Sequence, residues 1–227
     1  MKHFFSQAIV PLLALSVFLL SAALIHAEER LVYVEETDGE RADFVIDVAD
    51  IDGAFALTKS FDGDVYRETC DQDWNTLSAT VIVEQRIGTV RRRGDELRVS
   101  WPGGETASYE IDGARWRQNL FRMTAFITDP EAKKTDIWMI TPHFNQSPDE
   151  QPRLKTMRFT LKKKDAEILE IGGRETEVIR VELRPDGFMG AFWSADYWFR
   201  TSDGVLVKYA MARGAPGTPV TVGTLEN

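Results

Sequence analysis

What most constrains this chain is the recurrence of Asp-Gly pairs between short stretches of alternating character. The pairs fall at 38–39, 52–53, 62–63, 112–113, 186–187 and 203–204, and Arg93-Gly94-Asp95 and Pro102-Gly103-Gly104 add two further breaks. Asp-Gly is among the pairs that most readily adopt the left-handed backbone of a tight hairpin turn. A chain punctuated this way is expected to run as antiparallel strands joined in sequence, not as alternating strands and helices.

The stretches between the breaks agree. Leu31 to Glu36, Asp43 to Val48, Ala54 to Lys59 and Val65 to Thr69 read as strands, with Phe44 and Ile46 on one face of the second and Val45 on the other. Ser78 to Arg92 reads as one long strand, with Val81, Val83 and Ile87 on one side and Glu84 and Arg86 on the other. Leu97, Val99 and Trp101 alternate with Arg98 and Ser100. Ile137–Thr141, Met157–Lys163, Ala166–Ile171, Glu177–Leu183 and Val220–Leu225 continue the series. One stretch differs. Between Arg115 and Ile127, the residues Trp116, Leu120, Met123 and Ile127 recur at helical spacing before Asp129-Pro130, while Phe121, Met123 and Ala125 equally suit a strand. Asn145 to Arg153, with two prolines, reads as a surface loop.

The richest apolar segment is Phe192 to Met211, read as a hairpin about Thr201-Ser202-Asp203-Gly204. A two-residue turn at Asp203-Gly204 would set Phe199 against Lys208 and Trp198 against Tyr209, mixing charge and rings on both faces. A three-residue loop with Gly204 left-handed pairs Phe199 with Val207, Tyr197 with Tyr209 and Ala195 with Met211. Trp193 then continues the apolar face. Asp196, Trp198 and Arg200 oppose Ala210, Lys208 and Leu206 on the other face. This second register separates apolar from polar, and we expect it.

The sequence has 227 residues and a net charge of −9, and it opens with Lys2 and an apolar run from Ala8 to Leu24. Ile25-His26-Ala27 then offers a cleavage site, so residues 1–27 are expected to be a signal peptide and 28–227 a single exported β domain with net charge −10. An uncleaved anchor is the competing reading; beyond Ala27 no apolar stretch is long enough to span a bilayer. The acidic balance argues against nucleic acid as a partner. The one cysteine, Cys70, has no internal partner and is expected to be a buried thiol.

Little in the sequence encodes reaction chemistry. After residue 27 the only histidine is His143, with no accompanying Ser or Cys signature, so no catalytic group is assigned. Asp71 and Asp73 with Glu68 nearby lack the rest of a cation loop. Pro102-Gly103-Gly104 leads toward a strand, not into the helix N-terminus that a phosphate site needs. Arg91–Arg93 and Lys162–Lys164 read as charges on solvated turns and strand edges. No metal and no cofactor is expected.

Two segments resemble known families. Tyr66-Arg67-Glu68-Thr69-Cys70-Asp71-Gln72-Asp73-Trp74 resembles the Tyr…Cys-Asp-x-Trp turn of the envelope integrity protein B family, periplasmic β-spiral proteins linked to envelope maintenance. This chain carries one extra residue before the Trp and lacks that family's second Cys. The half from Glu167 to Leu225, with Leu206-Val207-Lys208 in its last hairpin strand, is similar to exported proteins shaped like the lipoprotein carrier LolA. The resemblance implies a periplasmic protein whose curved antiparallel sheet, a half-barrel or β-spiral, wraps around one helix.

A single sheet must cover one face, and curling on itself around apolar side chains does so. Six tryptophans, with the other rings, either fill that interior or line a cavity in it. The expectation that follows is a non-enzymatic periplasmic protein binding a lipid-like ligand or lipoprotein through Trp193, Tyr197, Phe199, Val207 and Tyr209. The alternative is an envelope protein-interaction module with a filled core.

Overall fold

A computed structural model describes residues 29–83, 86–142, 154–212 and 217–226. The fold is mainly β, built on one 15-stranded sheet. An N-terminal meander contains β1 (Glu29–Thr37), β2 (Glu40–Ile51), β3 (Ala54–Phe61), β4 (Asp64–Cys70), β5 (Thr76–Val83), β6 (Arg86–Arg93), β7 (Glu96–Ser100) and β8 (Thr106–Glu110). A crossing segment carries β9 (Arg115–Trp116) and the helical turn α1 (Thr124–Thr128). A C-terminal meander follows, with β10 (Lys134–Pro142), β11 (Leu154–Ile171), β12 (Arg174–Pro185), β13 (Ala195–Arg200), β14 (Leu206–Ala212) and β15 (Val220–Leu225).

The two meanders join where β1 pairs with β15, so the sheet begins in its own middle and grows outward on both sides. All pairings are antiparallel except β9 with β10. The edges β8 and β9 do not pair, so the sheet curls without closing into a barrel. Instead the β8 edge meets the start of β11, where the Tyr109 hydroxyl bonds the Leu154 backbone. Among the described residues no helix is long and apolar enough to cross a membrane.

Local chemistry explains the regular half. Asp38-Gly39, Asp52-Gly53 and Asp62-Gly63 each hold both residues left-handed, with φ near +50° on Asp and +82° on Gly. That is the two-residue turn whose twist matches a right-handed strand pair. Alternation then puts Tyr33, Phe44 and Ile46 inside, none more than 1% exposed, and Tyr33 stacks on Phe44 at 4.9 Å. Each such side chain contributes about 1.5–3 kcal/mol by leaving water. A second, smaller core forms where the ends of the wound sheet overlap: Val81, Val90, Leu97 and Val99 pack with Trp116 and Ile140.

Four expectations need correction. Ser78–Arg92 is not one strand: Val83 pairs with Arg86, so the chain reverses between them. Ile87 consequently points outward, 56% exposed, and Gly88 and Val90 point in. Conversely, 157–163 and 166–171 belong to one strand, β11, bent by a bulge between Lys163 and Ala166.

The third correction is the helix expected from Arg115 to Ile127, which shrinks to the five residues of α1. Trp116, Leu120, Met123 and Ile127 are all buried, so their spacing marks burial. The backbone there bonds the sheet and its own side chains, and not a helix. Arg117 N–H donates to Trp138 O, Gln118 N–H to Thr76 Oγ1, Phe121 N–H to Asn119 Oδ1 and Met123 N–H to Gly204 O. Donors already satisfied in this way gain nothing from helical bonds.

The fourth concerns the β13–β14 hairpin. Tyr197 pairs with Tyr209 and Ala195 with Met211 as expected, but Phe199 pairs with Leu206, not Val207, across a register shift. The loop is one residue longer, closed by Arg200 N–H to Val205 O at 2.8 Å. Leu206, expected on the polar face, is 2% exposed because the crossing segment covers it: its N–H donates to Phe121 O.

Candidate functional site: an interior cavity

Following the strand directions places one set of turns at each end of the wound sheet. The end carrying turns 52–53, 71–75 and 201–204 is closed by the crossing segment. Arg117 is 1% exposed; its guanidinium donates to Asp73 O at 2.5 Å and Arg122 O at 3.1 Å. Burial pushes its pKa down to about 10. Asn119 bonds Glu68, and Arg122 pairs with Glu29 at 2.7 Å while lying over Trp74. Thr124 Oγ1 donates to Asp203 O at 2.6 Å. Gly204, with φ +69°, fits directly against Thr124, where a Cβ would lie 2.5 Å from the Thr124 Cα.

The Tyr66–Trp74 segment folds into this closure. Asp71 Oδ1 accepts the Asp73 and Asn75 N–H groups, and Oδ2 accepts Asn75 Nδ2, so the carboxylate serves its own turn. Trp74 is left-handed at φ +64°, a strained state for a bulky residue, held by stacking on Phe55 at 4.2 Å. Of the lysine run, Lys163 reaches across to the carbonyls of Ile127 and Asp129 at 3.2 and 2.7 Å.

Above this floor lies a cavity of about 520 Å³, within the range of small-molecule sites. Its walls are Phe44, Leu57, Phe61, Val81, Met139 and Leu154, among others, and its floor includes Asn119, Leu120 and Phe121. Three polar side chains inside are already engaged. Glu68 accepts from Thr76, Asn119 and Cys70 Sγ (3.3 Å). Glu35 accepts from the Tyr209 hydroxyl. Gln118 bonds Trp116 and both backbone groups of Ile140. Lys59 lays its ammonium 4.1 Å from the Phe44 ring centroid.

Burial pushes the Glu68 carboxyl above its usual range, against the lowering effect of its three donors and of Arg117. The free Cys70 thiol is raised far above its ordinary value, first by burial and then by Glu68, so it stays protonated and is not a nucleophile at neutral pH. Burial alone raises Tyr197 to about 12.

Of the five residues expected to bind, Tyr197 and Tyr209 line the cavity. Trp193 does not line it: its Nε1–H donates to Ala212 O at 2.8 Å and its ring meets Phe159 edge-on. Phe199 and Val207 are wholly buried in the main core and do not line it. Phe199 keeps the face of Tyr197 but sits one pair nearer the closed end, under the crossing segment, while the register shift sets Leu206 opposite it in place of Val207. Sequence reasoning missed Phe61, Tyr66, Glu68 and Asn119. Phe44 carried a signal, having been read on one face with Ile46. His143 and the 145–153 loop lie outside the described residues.

No protein-family model and no curated protein matches the chain. Solved structures do resemble it. A β-barrel-like protein of domain of unknown function DUF1849 from Brucella abortus has a TM-score of 0.53 at 13% identity, covering 86% of this chain and 94% of that one. The hypothetical lipoprotein YmcC from Escherichia coli has a TM-score of 0.44 at 14% identity, covering 86% and 85%. A putative outer membrane lipoprotein-sorting protein domain from Vibrio parahaemolyticus has a TM-score of 0.25 at 9% identity, covering 87% and 82%. The first shares the fold with this chain, a curved and nearly closed β-sheet, and at 13% identity the likeness is one of fold alone.

Proposed function

We propose that this is a periplasmic, non-enzymatic protein that holds an acyl-chain ligand in its interior cavity in the service of the cell envelope. The observation that carries the reading is an apolar cavity of about 520 Å³ whose deepest polar groups are already bonded to protein partners. A ligand entering it meets rings and aliphatic chains, with Glu35, Glu68 and Gln118 already paired. Each methylene buried there is worth about 0.8 kcal/mol. Tyr197, Tyr209 and Met211 form one wall of the site, opposite Leu57 and Phe61 on the other meander. The apolar run 8–24 with its small-residue exit supports export, and the protonated thiol and engaged carboxylate support a binding role over a catalytic one.

Titration with cis-parinaric acid, a fluorescent fatty acid, tests this. Saturable uptake of one molecule per chain is expected. Met211→Trp, which fills the cavity, should weaken uptake at least about tenfold, the loss of two or more buried methylenes. An interaction module with a filled core predicts no saturable uptake, and that result would overturn the reading.

A further inference from the structure

The end of the sheet opposite the crossing segment carries turns 38–39, 62–63 and 101–105 and the 186–194 connection. Six of the eight large apolar side chains that are exposed among the described residues gather at this end: Val65, Ile87, Phe188, Met189, Phe192 and Val220. Three of them form one knuckle. Phe188 is 79% exposed, Met189 51% and Phe192 53%, and the two rings touch at 4.7 Å between centroids.

The knuckle is built. Gly187 takes φ +74° to enter it, and Gly190 packs so tightly on the Pro185 carbonyl that a Cβ would overlap it. Gly190 N–H donates to Gly187 O, and the N–H groups of Phe192 and Trp193 both donate to Met189 O at 3.0 Å. A bonded base therefore holds two rings and a thioether out in water. Trp193 ties that base to Ala212, the neighbour of the cavity-lining Met211.

We propose that this knuckle inserts into a phospholipid bilayer and seats the end of the sheet opposite the crossing segment against the membrane. Two Phe and one Met, partly exposed, offer roughly 300–400 Å² of apolar surface if an aromatic side chain buries about 150–250 Å² in full. That falls well short of the ~800 Å² per partner of a standard protein interface, but it suits a convex tip entering an acyl layer. Charge selects the kind of bilayer. The cations at the base are neutralised, Arg158 by Asp112, Asp136 and Asp186 and Arg184 by Glu182, and the chain is acidic overall. With these two cations paired and the chain acidic overall, the surface suits a zwitterionic bilayer better than an anionic one.

Among the described residues all fifteen strands lie between Glu29 and Leu225, so residues 28–227 contain every one of them. Cosedimentation of that chain with phosphatidylcholine vesicles tests the proposal. The wild type should pellet with the vesicles, equally at low and high salt, because apolar insertion is not screened. The double variant Phe188→Ser/Phe192→Ser should bind at least about tenfold more weakly, having lost two rings from apolar burial, with an unchanged thermal melt. Phe188→Ser alone, at the most exposed position, gives the same readout with the least risk to folding. Met211→Trp should bind vesicles like the wild type, which separates this proposal from the fate of the cavity reading. Absence of wild-type binding, equal binding by the double variant, or loss of binding at high salt would each overturn it. So would a wild-type dimer that the double variant converts to monomer.

Discussion

At one end of the wound sheet Arg117, Asn119, Arg122 and Thr124 each reach a different neighbouring element; at the other, the side chains that project are Phe188, Met189, Phe192 and Val220. The closed end is held by directed bonds to backbone carbonyls and carboxylates. Among the described residues no comparable crossing bridges the open end. The difference shows how a sheet that never closes its edges can still floor an interior space at one end, while the described residues of the other end, the rim, present apolar side chains outward. It also separates two kinds of residue. Those at the floor should matter to stability, those at the rim to binding.

Substitutions at the floor should have the largest effects. Gly204→Val adds a Cβ 2.5 Å from Thr124 Cα at φ +69°. Backbone strain of about 1–3 kcal/mol and overpacking of similar size together predict a loss of about 4 kcal/mol in a denaturant melt. A loss under about 1 kcal/mol would mean that the crossing segment moves aside freely, as in an ordinary loop. Asn119→Ala removes a bond to the Glu68 carboxyl and the acceptor of Phe121 N–H, and should cost about 2 kcal/mol. Met211→Trp, nearer the rim, should change stability by less than about 1.5 kcal/mol, since the added ring enters empty space.

The Glu68 carboxyl gives a pH test of the floor. Its pKa is raised in the folded state by burial, so folding takes up a proton. The stability that depends on it is complete below the ordinary glutamate value near about 4.3, and is lost as pH rises through the raised folded value. Glu68→Gln should remove that part of the decline, measured as the difference between two stability–pH curves. The carboxyls of Asp112, Asp136 and Asp203 act in the opposite sense, being lowered, and are common to both proteins. Identical curves would mean that Glu68 is ionised at no cost. At the rim, Phe188→Ser should shift stability by no more than about 0.5 kcal/mol, as for an exposed site.

The contrast between the two ends also accounts for what could be read from the sequence. Turns with local chemistry were legible: Asp38-Gly39, Asp52-Gly53 and Asp62-Gly63 specify their geometry within two residues. So was the face of β2 that Phe44 and Ile46 share, although Val45 between them is apolar and left open which face turns inward. The reversal between Val83 and Arg86 was not, since no glycine, proline or asparagine marks it. Neither was the crossing segment, whose conformation is decided by acceptors far along the chain, Gly204 O and Trp138 O among them. The candidate site shares that fate. Tyr197 and Tyr209 were found through one hairpin, but Phe61, Tyr66 and Glu68 face them only because β1 pairs with β15 and brings the two meanders into one curve. Phe199 shares the face of Tyr197, and only its place beside the closed end, set by the crossing segment, buries it in the core; the one-residue loop error changed its partner from Val207 to Leu206.

The most direct test of the account is lipid extraction and mass spectrometry of the folded protein purified from an envelope fraction, run beside Met211→Trp prepared in the same way. The account predicts an acyl lipid near one per chain in the wild type and far less in the variant, with both proteins folded. No lipid in the wild type, or equal lipid in both, would contradict it.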